Sequence, residues 1–373
     1  MKKILLKILF ILAVRTLRRY TPTIVGITGS VGKTSTKEAV YTVLRWKFLV
    51  RKSEGNFNNE IGVPLTILGL PHCGKNIFCW AMGFFRVFFR LIVHDRAYPE
   101  ILILEMGADH PGDIDYLVRL APAHIGIITA IGKVPVHVEF YSGPEEIAKE
   151  KNKLILALPS DGLVIINADD DVLADICKNS LSMTDLPLAE KAKVVTFGFN
   201  ERADARITAI EFSNDYSTTL HSEIPDGIII TIQNEGVKTR IKLHETFGKP
   251  SAYAVASAFL VGRQFKLTAG EIARALEHYS ASPGRMRLIK GIKGSMILDD
   301  TYNSSPSALH EALATLHELP AKRKIAVFGD MLELGKFSEE AHRIAGNEAA
   351  EIVDMLITVG SHARFIAEEA LSG

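Results

Sequence analysis

The stretch Gly26-Ile27-Thr28-Gly29-Ser30-Val31-Gly32-Lys33-Thr34-Ser35 follows a short apolar run and precedes a segment of helical character that begins near Thr36. A strand, a glycine-rich turn and a helix start form a phosphate cradle, because backbone N–H groups and the helix dipole then face the anion. In such loops a lysine contacts the terminal phosphates and a hydroxyl holds Mg²⁺. The alternative is a tight turn with an incidental Lys-Thr pair, since Ile27 stands where the general pattern has its first glycine. The stretch predicts ATP binding through Gly29, Ser30, Gly32, Lys33, Thr34 and Ser35.

Composition limits the class of protein. With 373 residues, 47% of them hydrophobic, the chain can bury a large core and form more than one domain. Lys+Arg and Asp+Glu are both 43, so no net charge favours nucleic acid as a partner. Cys73, Cys79 and Cys177 are odd in number and lack metal-ligand spacing. We therefore expect buried thiols rather than disulfides or zinc, and a cytoplasmic location.

Apolar runs alternate with helical stretches, which predicts an α/β fold with a doubly wound, mainly parallel sheet. Between residues 204 and 246, short β-type runs such as Ser217 to Leu220 alternate with turns, so antiparallel hairpins are expected beside that sheet. Ser282-Pro283-Gly284 then interrupts the chain before a new series of strands and helices. We predict three parts: an N-terminal amphipathic helix (1–20), a central ATP-binding domain (21–282) and a partial Rossmann-like domain (283–373).

Two apolar segments allow opposite interpretations. Residues 2–19 combine leucines and isoleucines with basic side chains, and the apolar run is too short to span a bilayer. Residues 77–93 are rich in Phe and form a predicted helical insertion with Arg86 and Arg90 on one stripe. The two segments either pack against each other or lie in a membrane interface, and the pattern does not decide between these alternatives.

Eight motifs occur in the order found in the Mur ligases, and this chain resembles that family from about residue 21 to its end. Within the family it is most similar to the MurF type, which adds D-alanyl-D-alanine. The motifs are residues 26–35, Gly55 to Pro64, Glu105 to Gly112, His137-Val138-Glu139 with Ala148 to Lys151, Asn167 to Asp170, Pro283-Gly284-Arg285, Asp299 to Asn303, and Val327 to Gly335.

The resemblance implies an ATP-dependent amide-bond ligase of peptidoglycan precursor synthesis that works through an acyl phosphate. Its substrates would be a muramyl-peptide carboxylate and D-alanyl-D-alanine, and its cofactors ATP and two Mg²⁺ ions. The implied catalytic residues are Lys33, His137, Lys151 and Arg285, and the implied metal ligands are Thr34, Glu105, His137 and Lys151. Asn59, Asp300 and Asn303 would join the phosphate loop in binding the nucleotide. In the family, the lysine fourteen positions after the histidine is carbamylated, and Lys151 matches it.

Several of these residues could instead have a purely structural role, although the position of Glu105 favours a functional one. Glu105 ends a buried strand, where a carboxylate facing the crevice is more often functional than structural. His137 alone would be an ordinary histidine, and Lys151 alone a solvated helix lysine. Asn58 and Asn59 would suit a helix cap.

Three departures from the family pattern keep other functions open. Few residues precede the phosphate loop, so recognition of a UDP sugar has no support here, and the C-terminal domain is expected to be incomplete. Gly248-Lys249-Pro250 lacks the asparagines that approach adenine in the family.

The alternatives are a membrane-associated ligase or amidating subunit acting on a lipid-linked cell-wall precursor at the inner face of the membrane, and a non-catalytic ATP-binding scaffold. The oligomeric state stays open.

Overall fold

A computed structural model describes residues 2–173, 192–213 and 225–372 of the chain. Its helices are α1 Lys2–Tyr20, α2 Lys33–Leu44, α3 Gly62–Leu68, α4 Ile77–Ile92, α5 Asp113–Leu120, α6 Pro144–Leu156, α7 Gly248–Gln264, α8 Ala269–Leu276, α9 Pro306–Glu318, α10 Ser338–Ala350 and α11 Arg364–Ala370. Its strands are β1 Thr23–Thr28, β2 Val50–Lys52, β3 Ile101–Glu105, β4 Ile125–Ile128, β5 Leu163–Asn167, β6 Lys193–Gly198, β7 Ala205–Ser213, β8 Gly227–Asn234, β9 Val237–His244, β10 Arg287–Lys290, β11 Met296–Asp299, β12 Ile325–Gly329 and β13 Met355–Val359.

The strands β1 to β9 form one sheet in the order β2-β3-β1-β4-β5-β6-β7-β8-β9. Neighbours from β2 to β7 are parallel, and β8 and β9 join antiparallel. The predicted α/β class with a mainly parallel sheet is confirmed. The antiparallel strands extend this sheet at its edge, whereas the sequence suggested hairpins beside it.

Both faces of the sheet are covered by helices, which explains why its central strands are apolar without alternation. In β3, Ile101 and Ile103 join a core with α2, α7 and α8, while Leu102 and Leu104 join a second core on the other face. This division follows from the two-residue period of a strand. The helices α1, α3, α4 and α5 contribute to the second core, so α1 and α4 belong to the same layer.

Residues after Pro283 form a hairpin of β10 and β11 and a parallel pair of β12 and β13. The helices α9, α10 and α11 supply a separate small core that includes Leu313, Ala345 and Ile366. This arrangement agrees with the partial Rossmann-like unit that the sequence predicts. The domain boundaries themselves stay a prediction.

Several local predictions need correction. α2 begins at Lys33 rather than near Thr36, because Gly32 in a left-handed conformation turns the chain directly into the helix. Cys73 and Cys79 form a disulfide instead of buried thiols, since the turn that Asn76 caps at the start of α4 brings their Cα atoms to 5.6 Å. Cys177 and the predicted run Ser217 to Leu220 lie outside the described residues.

Within the part of the chain that the structure describes, no helix combines the length and apolar character needed to cross a membrane.

Candidate active site

The glycine-rich loop connects β1 to α2 at the carboxyl edge of the sheet. Gly29 has φ 144° and Gly32 φ 85°, both in the range that favours glycine. A Cβ at Gly29 would come 2.1 Å from Thr129 Oγ1, so the loop backbone lies directly against the end of β4. Thr129 holds this arrangement, because its hydroxyl donates to the carbonyls of Thr28 at 3.2 Å and Val31 at 2.5 Å.

Two side chains of the loop, those of Lys33 and Ser30, are placed to receive a ligand. Lys33 Nζ folds back and donates to the carbonyl oxygens of Gly29 at 2.7 Å and Ser30 at 3.1 Å. Ser30 Oγ is buried and has no hydrogen-bond partner within the described residues. Burial lowers the pKa of Lys33, against the opposing charges of Glu105 and Asp109. A partly buried cation and a buried hydroxyl without a partner among the described residues, both in a glycine-rich loop, fit a bound phosphate.

Glu105 is the centre of a buried polar cluster where β3 ends. Its carboxylate accepts from Thr34 Oγ1 at 3.3 Å and from Asn58 Nδ2 at 3.4 Å. Lys37 Nζ lies 3.1 Å from Glu105 Oε2, and Lys37 is 1% exposed. The predicted pair of Thr34 and Glu105 is therefore brought together, and Lys37 supplies the countercharge that a buried carboxylate needs.

Lys151 lies on the buried side of α6 with 1% of its surface exposed. Among the described residues, none forms a hydrogen bond or an ion pair with its amine. Burial lowers the pKa of Lys151 to about 7, and the positive charge of Lys33 acts in the same direction. A large fraction of this amine is thus neutral and nucleophilic near pH 7.

His137 has a left-handed backbone (φ 66°) and lies between acidic groups. Its Nδ1 is 2.5 Å from Glu333 Oε2 without the alignment of a hydrogen bond, and its Nε2 is 3.4 Å from Asp109 Oδ1. Burial lowers the pKa of His137, with Lys33 and Lys151 adding to the effect and the two carboxylates opposing it. A neutral imidazole is the form that binds metals.

A cavity of about 290 Å³ adjoins the loop and is lined by residues on both sides of Pro283. Arg285 enters it with its guanidinium 4.2 Å from the Tyr302 ring centre. Asp300 also lines it and accepts from the Met286 N–H at 3.1 Å, and burial raises the pKa of Asp300 to about 6. Other lining side chains include Ser35, Asn167, Asp169, Asp170, Tyr253 and Glu311.

The structure does not bring Asn59 and Asn303 to this cavity. Asn59 Oδ1 accepts from the N–H groups of Ile61 and Gly62, which makes it part of the turn into α3. Asn303 is exposed and accepts from Ser304 N–H at 3.0 Å. Their roles in nucleotide binding stay a prediction, and the geometry favours the other explanation of Asn59, an asparagine that forms a turn.

Sequence reasoning missed several groups that shape the site. Lys37 and Thr129 were not singled out, although each follows a signal: a lysine among the apolar positions of α2, and a hydroxyl directly after a buried strand. Asp169 lies in the motif Asn167 to Asp170, but the sequence predicts no function for it. Its carboxylate accepts from Tyr253 OH at 3.0 Å and from two backbone N–H groups. Tyr253 lies in the segment 248–254, which lacks the asparagines of the family pattern.

The predicted metal ligands form no ready-made cation cage. No group of three or more His, Cys, Asp and Glu side chains within the described ranges is placed to hold a metal. Mg²⁺ is usually held by one or two carboxylates together with phosphate oxygens. The hard-oxygen donors Thr34 and Glu105, next to the phosphate cradle, fit such an ion.

Comparisons with known proteins identify relatives over most of the chain. A family model described as the Mur ligase middle domain matches residues 27–244, and one described as Mur ligase, glutamate ligase domain matches residues 284–373. The UDP-N-acetylmuramoyl-tripeptide–D-alanyl-D-alanine ligase of Bacillus subtilis is 30% identical over 350 residues, which are 93% of this chain and 65% of that protein. Its Escherichia coli counterpart is 27% identical over 347 residues, 92% of this chain and 66% of that protein.

Solved structures show the same fold. MurF from Acinetobacter baumannii has a TM-score of 0.77 at 24% identity, with 97% of this chain and 69% of that chain covered. The MurF ligase of Thermotoga maritima in complex with ADP has a TM-score of 0.75 at 26% identity, with 97% and 72% covered. The chain spans about two thirds of the length of the curated relatives it matches.

Proposed function

Because this chain belongs to the Mur ligase family, we propose that it is an ADP-forming ligase that uses ATP to make an amide bond in peptidoglycan precursor synthesis. The observation that carries the proposal is the contact of Thr34 with the buried Glu105 next to the glycine-rich loop, which is where Lys33 also lies. Phosphoryl transfer depends mainly on positioning and charge neutralisation, which this arrangement provides.

The proposed reaction has two steps. A substrate carboxylate attacks the terminal phosphorus of ATP, so that an acyl phosphate forms and ADP leaves. An amine then attacks the acyl carbon, and the carbon–oxygen bond to phosphate breaks. Because the Bacillus subtilis and Escherichia coli relatives are UDP-N-acetylmuramoyl-tripeptide–D-alanyl-D-alanine ligases, we propose a muramyl-peptide as the carboxylate and D-alanyl-D-alanine as the amine.

Each side chain has a defined task in this proposal. Lys33 binds the terminal phosphates, and Arg285 approaches them from the other side of the cavity. Thr34 and Glu105 would hold Mg²⁺, with His137 and modified Lys151 at a second ion. When bound, the metal would neutralise charge on the phosphoryl group. Asp300 faces the cavity where a ribose would lie, and its oxygens can accept from a hydroxyl.

We propose that Lys151 is carbamylated in the working enzyme. The amine would bond to CO₂ and lose a proton, which converts a cation into an anionic oxygen ligand. Full burial, the absence of a partner among the described residues and the neutral amine favour this modification, because a protonated lysine cannot attack CO₂.

A second candidate is a ligase or amidating subunit that acts on a lipid-linked precursor. The observation that favours it is the outward apolar face of α4, whose side chains Phe85 and Phe88 are more than half exposed. Either activity belongs in the cytoplasm, where ATP is available, and contact with the inner face of the membrane would bring the site near such a substrate.

ADP release decides between these functions. The chain would be incubated with ATP, Mg²⁺ and either UDP-muramoyl-tripeptide or its lipid-linked equivalent, with and without D-alanyl-D-alanine. We expect ADP release to require both the peptide and the amine, and the preferred peptide identifies the candidate. If ADP release is absent, or if omitting the amine leaves it unchanged, the ligase proposal is wrong and the non-catalytic alternative gains support.

A further inference from the structure

The side of α4 that faces away from the protein is apolar. Seven large side chains on this face are 56–88% exposed: Ile77, Phe78, Met82, Phe85, Phe88, Phe89 and Ile92. At 100° per residue these positions share one continuous side of the helix, and Arg86 lies at its border. A water-facing helix surface normally carries polar side chains, so this face is unlike the rest of the protein surface.

The inner side of α4 is firmly packed, so the outward direction of the apolar face is fixed. Val87 is 2% exposed, and a Cβ on Gly83 would lie only 3.2 Å from Leu70. Near the end of the helix, Arg90 pairs with Asp95 at 3.1 Å. Arg90 therefore forms an ion pair within the protein, whereas Arg86, the other arginine of the helix, is exposed.

Helix α1 contributes a second exposed apolar row in the same layer. Ile4, Ile8 and Ile11 are 66%, 39% and 40% exposed, although Leu9 and Ala13 on the opposite side are fully buried. The two helices are joined at their ends, because Tyr20 OH donates to the Arg90 carbonyl at 2.8 Å. We call the exposed faces of α1 and α4 together the apolar surface.

All charged side chains of α1 and α4 are basic, and those next to the apolar surface form its positive border. Residues 1–37 and 61–94 contain no Asp or Glu, in a chain with equal numbers of basic and acidic residues overall. Helix α1 also exposes basic side chains around its isoleucines: Lys3, Lys7, Arg15, Arg18 and Arg19. Apolar side chains bordered by cations are complementary to a bilayer with anionic headgroups.

We propose that the apolar surface docks on an anionic lipid bilayer, with α4 lying along the plane of the membrane. Trp80, Val87 and Leu91 follow the inner side of α4 into the core over nearly its whole length, so one side of the helix stays on the protein while the other enters the interface. Contact with a second copy is disfavoured, because a symmetric dimer would place the same positive border opposite itself. The inference does not depend on the chain being a ligase.

Co-sedimentation with vesicles tests the proposal. The full chain would be mixed with phosphatidylcholine vesicles that contain, or lack, 30 mol% phosphatidylglycerol, which is roughly a physiological anionic fraction. We expect binding to the anionic vesicles that weakens about tenfold or more as salt rises from 0.05 to roughly 0.5 M, because added ions screen the basic border. Replacing Phe85, Phe88 and Phe89 by serine should weaken binding roughly 100-fold, since three apolar rings no longer leave water.

A matched variant controls for the general effect of three serines. Val237, Ile292 and Leu371 are 60%, 81% and 88% exposed and lie outside the apolar surface, so their replacement by serine should leave vesicle binding unchanged. Circular dichroism and thermal melting confirm that both variants are folded.

A second readout locates the helix directly. Tryptophan at Phe85 should be quenched by brominated lipid acyl chains, whereas tryptophan at Val237 should not. Three outcomes would overturn the proposal: no binding to anionic vesicles at low salt, equal loss of binding in both serine variants, or a stable dimer that the Phe85, Phe88 and Phe89 replacements dissociate without any vesicle binding by the wild type.

Discussion

The buried polar cluster around Glu105 and the apolar surface depart from the usual distribution of residues in opposite ways. In the cluster, charged side chains such as Lys37 and Glu105 are almost completely buried, at 1% and 3% exposure. On the apolar surface, Phe78 is 88% exposed. Burying a charge opposes folding, and an aromatic ring left in water contributes little to stability. A protein tolerates such features where another molecule restores favourable contacts, and the two regions differ in which kind of molecule does so.

The two regions also differ in how their unusual residues are supported. Glu105 has three polar partners within 3.4 Å, so its position is fixed before any ligand binds. The exposed aromatic rings of α4 belong to a helix that packs on the protein through its inner side. Substitutions in the cluster should therefore lower the ligation rate. Substitutions on the apolar surface should weaken membrane binding and have little effect on the fold.

The largest effect is expected in the phosphate loop. Lys33→Ala should lower the rate of ATP-dependent ligation by at least about 10³-fold, because it removes charge stabilisation of the transferred phosphoryl group. Steady-state ADP release measures the loss, and thermal melting checks the fold. Lys238→Ala, which removes an exposed lysine on β9, is the matched control and should behave as wild type. Ligation at the wild-type rate by the Lys33 variant would remove this residue from the site.

The next largest effect concerns the buried amine. Lys151→Ala should reduce the ligation rate by about 10²-fold or more, since the proposed metal ligand is lost, and short carboxylic acids should restore part of it. Lys149→Ala changes an exposed lysine two positions earlier in α6 and should have no effect.

The carbamate itself can be observed without an activity assay. Carbon-13 NMR with labelled bicarbonate should show a carbamate signal that rises as the pH passes about 7, because the neutral amine then predominates. The signal should be absent from Lys151→Ala and present in Lys149→Ala. A wild-type enzyme without the carbamate signal, together with full activity in Lys151→Ala, would contradict the proposed role.

A smaller effect should follow from Asp300, whose pKa is raised to about 6 by burial. Between about pH 4 and 6 the unfolded chain has released this proton and the folded chain has kept it, so the free energy of unfolding should fall as pH rises. One proton limits the slope to about 1.4 kcal/mol per pH unit. Asp300→Asn should flatten this part of the profile in urea titrations, and an identical profile would show that Asp300 ionises normally.

The smallest effect is expected on the outer side of α4. Phe85→Ser should change the free energy of unfolding by no more than about 0.5 kcal/mol, because the ring is 65% exposed. Val87→Ser, two residues away on the inner side, should cost about 2 kcal/mol or more because it puts a hydroxyl in the core. Urea titration of the two variants measures both values. Equal losses would mean that the outer ring is packed after all.

The sequence predicts local features of the site well and long-range ones poorly. The phosphate loop depends on ten consecutive residues, and Glu105 could be predicted because it ends a buried strand. The contact of Thr129 with Gly29 joins residues 100 positions apart, and no local pattern encodes it. The direction of α4 was also undetermined, because apolar residues surround most of this helix and only its packing on Leu70 and Tyr20 shows which side is inside.

The short connection after α1 links the membrane proposal to the position of the site. Tyr20 ends α1, and β1 begins at Thr23, so only Thr21 and Pro22 separate the helix from the strand that leads into the phosphate loop. β1 is held on both edges by β3 and β4 and spans about 20 Å over its six residues. A bilayer that fixes α1 would thereby set the distance between the proposed ATP site and the lipid. The length of β1 would then decide which substrates can react, because their carboxylate must lie at that distance from the membrane.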